Sequence, residues 1–258
     1  MSNPHLPVDI LDQVIDHLCD AKPTLRDCCL VSKSWIPRTR RHLFADIKFQ
    51  TRTDLKSWKE TFPDPSTSPA YYAKSLSIGC PRLVTAVDAE PGGWIRGFSR
   101  VAHLVVSSQR LLPVPGGLAV SFVPLHGFSP VKSLHLDAFV IPFQQVFDLA
   151  LSFPLLEDLT VRTCGAQINA GDDSDGLSTT VQLSSIPAFS GSLRLSMVKG
   201  IGPIARRLLS SPGDIGFREL ALTWDKEEDI ALTAALVERC SLTLESLEIT
   251  CNPYGTPI

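Results

Sequence analysis

Residues 131–136, VKSLHL, contain the pattern that decides the fold: apolar, two variable residues, leucine, one variable residue, apolar. Apolar residues that alternate with polar ones predict a β-strand with one buried side and one solvent-facing side. The phrase occurs six more times, once with a serine at its first position. The other copies are AKSLSI at 73–78, VAHLVV at 101–106, LEDLTV at 156–161, SGSLRL at 190–195, FRELAL at 217–222 and LESLEI at 244–249.

The central leucines of these phrases, called the pivot leucines, recur at intervals of 25 to 34 residues. They are Leu76, Leu104, Leu134, Leu159, Leu193, Leu220 and Leu247. A Leu-x-Leu strand at this interval is typical of leucine-rich repeats, whose units stack because none covers its own apolar face. We therefore expect an α/β fold in which an irregular leucine-rich-repeat solenoid with a parallel sheet occupies residues 70–258. The alternative is a generic α/β domain whose Leu-x-Leu strands recur by chance.

Three connections between phrases carry apolar residues at helical spacing, which favours strand–helix units and a parallel sheet. Their stripes are Phe143, Val146, Phe147, Ala150 and Leu151; Ile204, Leu208 and Leu209; and Ile230, Ala234 and Val237. Glu227, Glu228 and Asp229 precede the last stripe, where acidic residues suit a helix N-terminus. Three other segments, at 88–93, 112–117 and 165–176, are rich in Gly, Pro or Asp and are predicted to be surface loops.

The N-terminal stretch 6–44 predicts three short helices. The first carries Ile10, Leu11, Val14, Ile15 and Leu18 at helical spacing, with Pro7 at the first helical position. Pro23 breaks this pattern, and Thr24 and Asp27 are predicted to cap a second helix that carries Leu25 and residues 28–31. A third helix, broken near Pro37, carries Trp35, Leu43 and Phe44. So short a segment cannot bury these side chains alone, so we expect a partner.

The order of residues in this stretch resembles the F-box. Leu6-Pro7 opens the match, Asp9-Ile10-Leu11 follows, and Cys29-Leu30-Val31-Ser32 precedes Trp35. Arg40, Arg41, Leu43 and Phe44 close it. The resemblance implies docking to the Skp adaptor of a cullin–RING ubiquitin ligase. The adaptor-binding residues it implies are Leu6, Pro7, Ile10, Leu11, Ile15, Leu18, Cys29, Leu30, Val31, Ser32 and Trp35. The alternative is an ordinary three-helix lobe packed on its own domain.

The two halves together resemble the irregular F-box/leucine-rich-repeat proteins of fungal type. Leu55, Trp58 and Phe62 lie at helical spacing and predict a short amphipathic helix, followed by a Pro/Ser-rich loop at 63–69. The predicted domains are an F-box domain at 1–50, this linker at 51–69, and a substrate-binding domain at 70–258. The implied role is the substrate-recognition subunit of an SCF-type ubiquitin ligase, which is not itself an enzyme. Two alternatives remain: a repeat scaffold without a ligase role, and a hydrolase or transferase with a motif-free site near 165–176.

The open side of the predicted sheet is the expected binding surface for a protein substrate. Positions one before, one after and three after each pivot leucine should face this side, because side chains alternate along a strand. The residues expected to contact the substrate are His135, Asp158, Arg162, Arg194, Glu219 and Glu248. Their mixed charges favour a protein with patterned charge, whereas a nucleic acid would call for a basic stripe.

Composition and short motifs narrow the classes of protein to which the chain can belong. The net charge is −3 and hydrophobic residues make up 44% of the 258 residues. No apolar run is long enough for a transmembrane helix, and the N-terminus lacks the pattern of a signal peptide. The seven cysteines form no CxxC pair, which favours reduced thiols in the cytoplasm, the nucleus or both. Phosphate-binding glycine motifs and metal-ligand spacings are absent from the sequence, so no cofactor or metal is predicted.

Overall fold

The computed structural model describes residues 7–79, 94–107, 128, 130–137, 146, 149–162, 190–196, 202–210, 215–224 and 229–251. In these residues the chain is α/β, with helices at the N-terminus and an eight-stranded parallel sheet whose strands follow chain order. The strands are β1 (Asp46–Phe49), β2 (Ser75–Ile78), β3 (His103–Ser107), β4 (Ser133–Asp137), β5 (Asp158–Arg162), β6 (Ser192–Ser196), β7 (Glu219–Trp224) and β8 (Ser246–Cys251). The predicted parallel sheet is thus confirmed.

The pivot leucines stand in one row across the sheet. Leu76 pairs in register with Leu104, Leu104 with Leu134, and the row continues through each later strand to Leu247. The first six are buried, together with the apolar residue two positions further along each strand. Each of the six strands β2 to β7 therefore has one apolar side in the core and one open side, as the alternation predicts.

Leu247 departs from this rule, and its predicted burial is wrong. Its side chain is 44% exposed, and Ile249 on the same side of β8 is similarly exposed. The reason is its position: β8 is an edge strand and, among the described elements, has its main contacts with β7 alone. The other edge strand, β1, keeps its apolar side buried because the helix at Arg52–Thr61 packs on it.

β1 is an eighth copy of the phrase that the sequence analysis did not count. Residues 44–49, FADIKF, place Ile47 opposite Leu76, and both Ile47 and Phe49 are buried. The phrase is easily missed because isoleucine replaces the pivot leucine. The sheet therefore begins before the predicted linker at 51–69, and the proposed domain boundaries stay a prediction.

Three N-terminal helices are present, as predicted, but their prolines lie at other helix positions than the sequence analysis predicted. The helices are α1 (Val8–His17), α2 (Lys22–Val31) and α3 (Ile36–Leu43), with a 3-10 turn at Lys33–Trp35 before α3. Pro7 caps α1 instead of starting it, and Pro23 and Pro37 lie inside the first turns of α2 and α3. The predicted cap by Thr24 and Asp27 is therefore wrong. A proline fits the first turn because its missing N–H would have no helical partner there.

Helix α4 (Arg52–Thr61) packs on β1 and begins with a capping box. Thr51 Oγ1 accepts a hydrogen bond from the Asp54 N–H, and the Asp54 carboxylate accepts one from the Thr51 N–H. Leu55 is buried and Trp58 contacts Phe49 edge to face, which confirms the predicted amphipathic helix. The loop at 63–69 leads into a 3-10 turn at Pro69–Tyr72, in which Pro69 and Ala70 are buried.

Two later helices, α5 (Gly202–Leu209) and α6 (Asp229–Cys240), lie against the sheet. Ile204 and Leu208 are buried as predicted. The predicted stripe on α6 is wrong, because Ile230 and Ala234 are exposed and Val237 is half-buried. The buried residues of α6 are Asp229, Thr233, Leu236 and Cys240. Two polar residues occupy the inner face of this helix, so hydropathy alone points to the wrong side.

Gly79, predicted on the open side, is also buried. Its N–H donates to the Phe49 carbonyl over 2.7 Å, and a Cβ there would lie 3.0 Å from the Gln50 Cα. Any other residue would force the Gln50 backbone to shift by a few tenths of an ångström, so glycine suits this close approach of two backbones. The predicted loops at 88–93, 112–117 and 165–176 lie outside the described residues. Phe143 and Phe147 of the first helical stripe also lie outside them, whereas Val146 and Ala150 of that stripe are buried.

Within the described part of the chain, no helix combines the length and apolar character needed to cross a membrane.

Candidate protein-interaction surfaces

Several large apolar residues on α1 and α2 are exposed to solvent. They are Val8, Ile10, Val14, Leu30 and Val31. Leu30 is 86% exposed and Val31 67% exposed, although aliphatic side chains of this size are usually buried. Adjacent large apolar residues left in water, such as Leu30 and Val31, commonly mark a site of protein association.

The residues predicted to bind the adaptor fall into three groups by exposure. Pro7, Ile10, Leu30 and Val31 are exposed, whereas Leu11, Leu18, Cys29, Ser32 and Trp35 are half-buried. Ile15 is 1% exposed, so its predicted contact with the adaptor is corrected: it belongs to the interior of the helical lobe with Leu25 and Cys28. Leu6 lies outside the described residues.

The N-terminal lobe is held together by a charged cluster that the sequence analysis missed. The Arg38 guanidinium on α3 donates two hydrogen bonds to the Asp16 carboxylate on α1, one of them 2.7 Å long from Nε to Oδ1. His42 Nε2 lies 2.7 Å from the same Oδ1. Hydrogen bonds from Arg38 and His42 hold the pKa of Asp16 far below its ordinary value. The cluster links α1 to α3.

The sequence contains one indication of this charged cluster, but the indication is ambiguous. Arg38 begins a run of basic residues that ends with Arg41, which could equally indicate a phosphate contact or a solvated helix face. Asp16 is 22 residues away, and nothing in the local pattern pairs it with Arg38. Only the packing of α1 on α3 brings the two side chains together.

The open side of the sheet is polar, and the predicted substrate contacts lie on it. His135, Asp158 and Glu219 are half-buried on β4, β5 and β7, while Arg162, Arg194 and Glu248 are exposed on β5, β6 and β8. The structure therefore places all six on one surface.

Several of these residues already have partners within the chain. Arg194 Nη2 lies 2.7 Å from Glu219 Oε2. The Asp158 carboxylate accepts hydrogen bonds from the Ser192 N–H and hydroxyl. The pKa of His135 is lowered because burial penalises the charged ring and Arg162 lies nearby, so the ring is neutral near pH 7.

A shallow groove of about 140 Å³ crosses the C-terminal half of this open side. Arg162 and Arg194 line one part of it and Glu248 another. Hydroxyl groups from Thr160, Ser196, Thr223 and Thr250 also line it, together with the apolar residues Ala221 and Leu222. The groove thus offers charges of both signs and many hydrogen-bond partners, which suits a protein segment and lacks the uniform positive charge that a nucleic acid requires.

Within the described residues, no group of three or more His, Cys, Asp or Glu side chains has the geometry to hold a metal ion. The cysteines at 19, 28, 29, 240 and 251 are free thiols. Cys28 is buried and Cys29 is half-buried.

Comparisons of the chain with protein-family models, with curated proteins and with solved structures found no match.

Proposed function

We propose that the chain is a substrate receptor of a cullin–RING ubiquitin ligase, with residues 6–44 as an F-box that docks the Skp adaptor. The observation that carries this proposal is the exposure of Leu30 and Val31, the central residues of the Cys-Leu-Val-Ser match. An ordinary internal lobe would be expected to bury them. Their exposure supports a partner at the position where the resemblance expects the adaptor.

The sheet supports the second half of the proposal, a leucine-rich-repeat solenoid that holds the substrate. Its strands are parallel and follow chain order, and their pivot residues stand in register. Stacked units of this kind present an extended surface for partners. A receptor of this type would act by proximity, since holding a substrate raises its effective concentration near the transferred ubiquitin.

The first test measures adaptor binding by isothermal titration calorimetry with a purified Skp-type adaptor. Leu30→Ala combined with Val31→Ala should weaken binding by at least tenfold, because buried apolar anchors commonly contribute about 2 kcal/mol or more each to such interfaces. Both side chains are exposed in the free chain, so the fold should be unaffected. Leu242→Ala is the matched control: Leu242 is 98% exposed but precedes β8, at the far edge of the sheet from β1.

Unchanged adaptor binding by the folded double variant would refute the docking assignment. A second measurement separates a ligase subunit from a simple scaffold: a cullin should bind the complex only through the adaptor. A complex of chain and adaptor that never recruits a cullin would instead support the scaffold alternative.

A further inference from the structure

A second cavity lies where the N-terminal helices meet the beginning of the sheet. It has a volume of about 220 Å³ and is lined by Arg41, Tyr72, Lys74 and Arg100. These residues come from four separate places: α3, the 3-10 turn at Pro69–Tyr72, the residue before β2 and a residue shortly before β3. The fold, not a local sequence motif, brings them together.

The charge of this cavity is one-sided. Among the described residues, four side chains line it, of which three are cationic and none is acidic. Within the described part of the chain, ion pairs are formed by Lys132 with Glu157 and by Arg194 with Glu219, but none by the three cations of the cavity. Cations that share a site without a carboxylate repel one another, and an anion that binds among them relieves that repulsion.

Lys132 provides a direct comparison with Lys74, because the two occupy equivalent positions. Each directly precedes its strand, and its carbonyl oxygen accepts two backbone hydrogen bonds from the next unit. Lys132 Nζ lies 2.8 Å from Glu157 Oε1, whereas Lys74 faces the cavity. The same backbone position thus carries a neutralised lysine in one unit and a lysine beside two arginines in the other.

The cavity is also built on fixed supports. The Arg100 guanidinium lies 4.6 Å from the centre of the Tyr71 ring, a cation–π contact that limits its conformational freedom. The Lys74 N–H donates to the Ala45 carbonyl over 2.8 Å, which holds the base of that side chain. Groups that are positioned before binding lose less entropy when a ligand arrives.

We propose that this cavity binds the phosphate group of a small phosphorylated molecule. Two arginines can each donate paired hydrogen bonds to phosphate oxygens, the lysine adds a point charge, and the Tyr72 hydroxyl can donate a further hydrogen bond. A doubly charged phosphate matches a cluster of three cations. The cations are gathered in one cavity, whereas a nucleic acid backbone would require them to extend along a stripe. The site does not depend on the proposed ligase role.

The test uses the full chain and pyrophosphate as the probe, with binding measured by isothermal titration calorimetry at low and physiological salt. Lys74→Ala combined with Arg100→Ala should weaken binding by at least tenfold. Lys132→Ala is the matched control and should change the affinity by less than twofold. Thermal melts followed by circular dichroism check that both variants fold. Arg41→Ala alone offers a second route, since Arg41 is exposed on α3 and its truncation removes little packing.

Three results would overturn the proposal. One is the absence of pyrophosphate binding to the wild-type chain at millimolar concentration. Another is equal weakening by Lys132→Ala and by the double variant, which would indicate general attraction to a charged surface. The third is a short single-stranded oligonucleotide that binds more tightly than pyrophosphate through Lys74 and Arg100, which would reassign the cavity to nucleic acid.

Discussion

Leu134 and Leu247 occupy the same row of the sheet, yet their replacement by alanine should have very different costs. Leu134 lies on β4 between the buried residues Leu104 and Leu159, and none of its surface is exposed. Truncation of such a residue removes its transfer free energy and leaves a cavity that its neighbours cannot fill. We expect Leu134→Ala to lower the free energy of unfolding by about 3 kcal/mol.

Leu247→Ala should cost about 1 kcal/mol. Complete burial of a leucine side chain is worth roughly 2 kcal/mol, and 44% of the Leu247 side chain remains in water. No closed cavity forms at an exposed position, so the cavity contribution seen at Leu134 is absent. The difference between the variants, about 2 kcal/mol, follows from their neighbours alone, because the residue type and the position in the phrase are identical.

Urea unfolding followed by circular dichroism measures both costs, and equal slopes for the two variants and the wild type show that the same cooperative unit unfolds. Equal losses of stability would refute the reasoning. They would show that the apolar side of β8 is covered in solution. A small loss at both positions would show that the row of pivot residues does not form the core.

Three further predictions concern local features. Asp16→Asn should lower the melting temperature at pH 7. The difference in melting temperature between this variant and the wild type should shrink as the pH falls below the ordinary aspartate pKa of 3.8, because a carboxyl group with a lowered folded-state pKa stabilises the fold only while it is charged. A difference that persists in strong acid would contradict this. Thr51→Ala should cost about 1 kcal/mol in urea unfolding through loss of the capping box, whereas Thr24→Ala, which caps no helix, should cost much less. Gly191→Ala should destabilise the chain more than Thr51→Ala or Thr24→Ala, since a Cβ at position 191 would lie 1.9 Å from the Glu157 carbonyl oxygen. A melting curve identical to that of the wild type would exclude this close approach.

The strands of the sheet could be predicted from sequence because each carries its own local signal. The phrase around Leu76 or Leu134 specifies a strand, its buried side and its place in the series without reference to distant residues. The alternation at 45–49 also predicts the first strand, which is confirmed, but isoleucine at the pivot position kept Ile47 from being recognised as part of the repeated phrase. The burial of Leu247 was predicted wrongly for a different reason. Exposure of a side chain depends on which strands and helices pack on it, and the local sequence pattern does not contain that information.

The candidate sites were less accessible to sequence reasoning. Exposure of Leu30 and Val31 agrees with the surplus of apolar surface expected for so short a helical segment. Pairing of Asp16 with Arg38, and convergence of Arg41 with Lys74 and Arg100, depend on the packing of separate elements. On α6 the polar residues Asp229 and Thr233 are buried, so the periodicity of apolar residues gave the wrong face.

The strict chain order of the sheet also bears on how the protein is made. Each strand from β2 onward pairs with a strand that the ribosome has already released, so none must wait for a distant part of the chain. At a synthesis rate of roughly 10 residues per second, the interval of 25 to 34 residues between pivot leucines corresponds to about three seconds per unit. A growing chain could therefore add its strands one at a time during translation, and at each stage the edges open to unwanted pairing would be those of β1 and the newest strand.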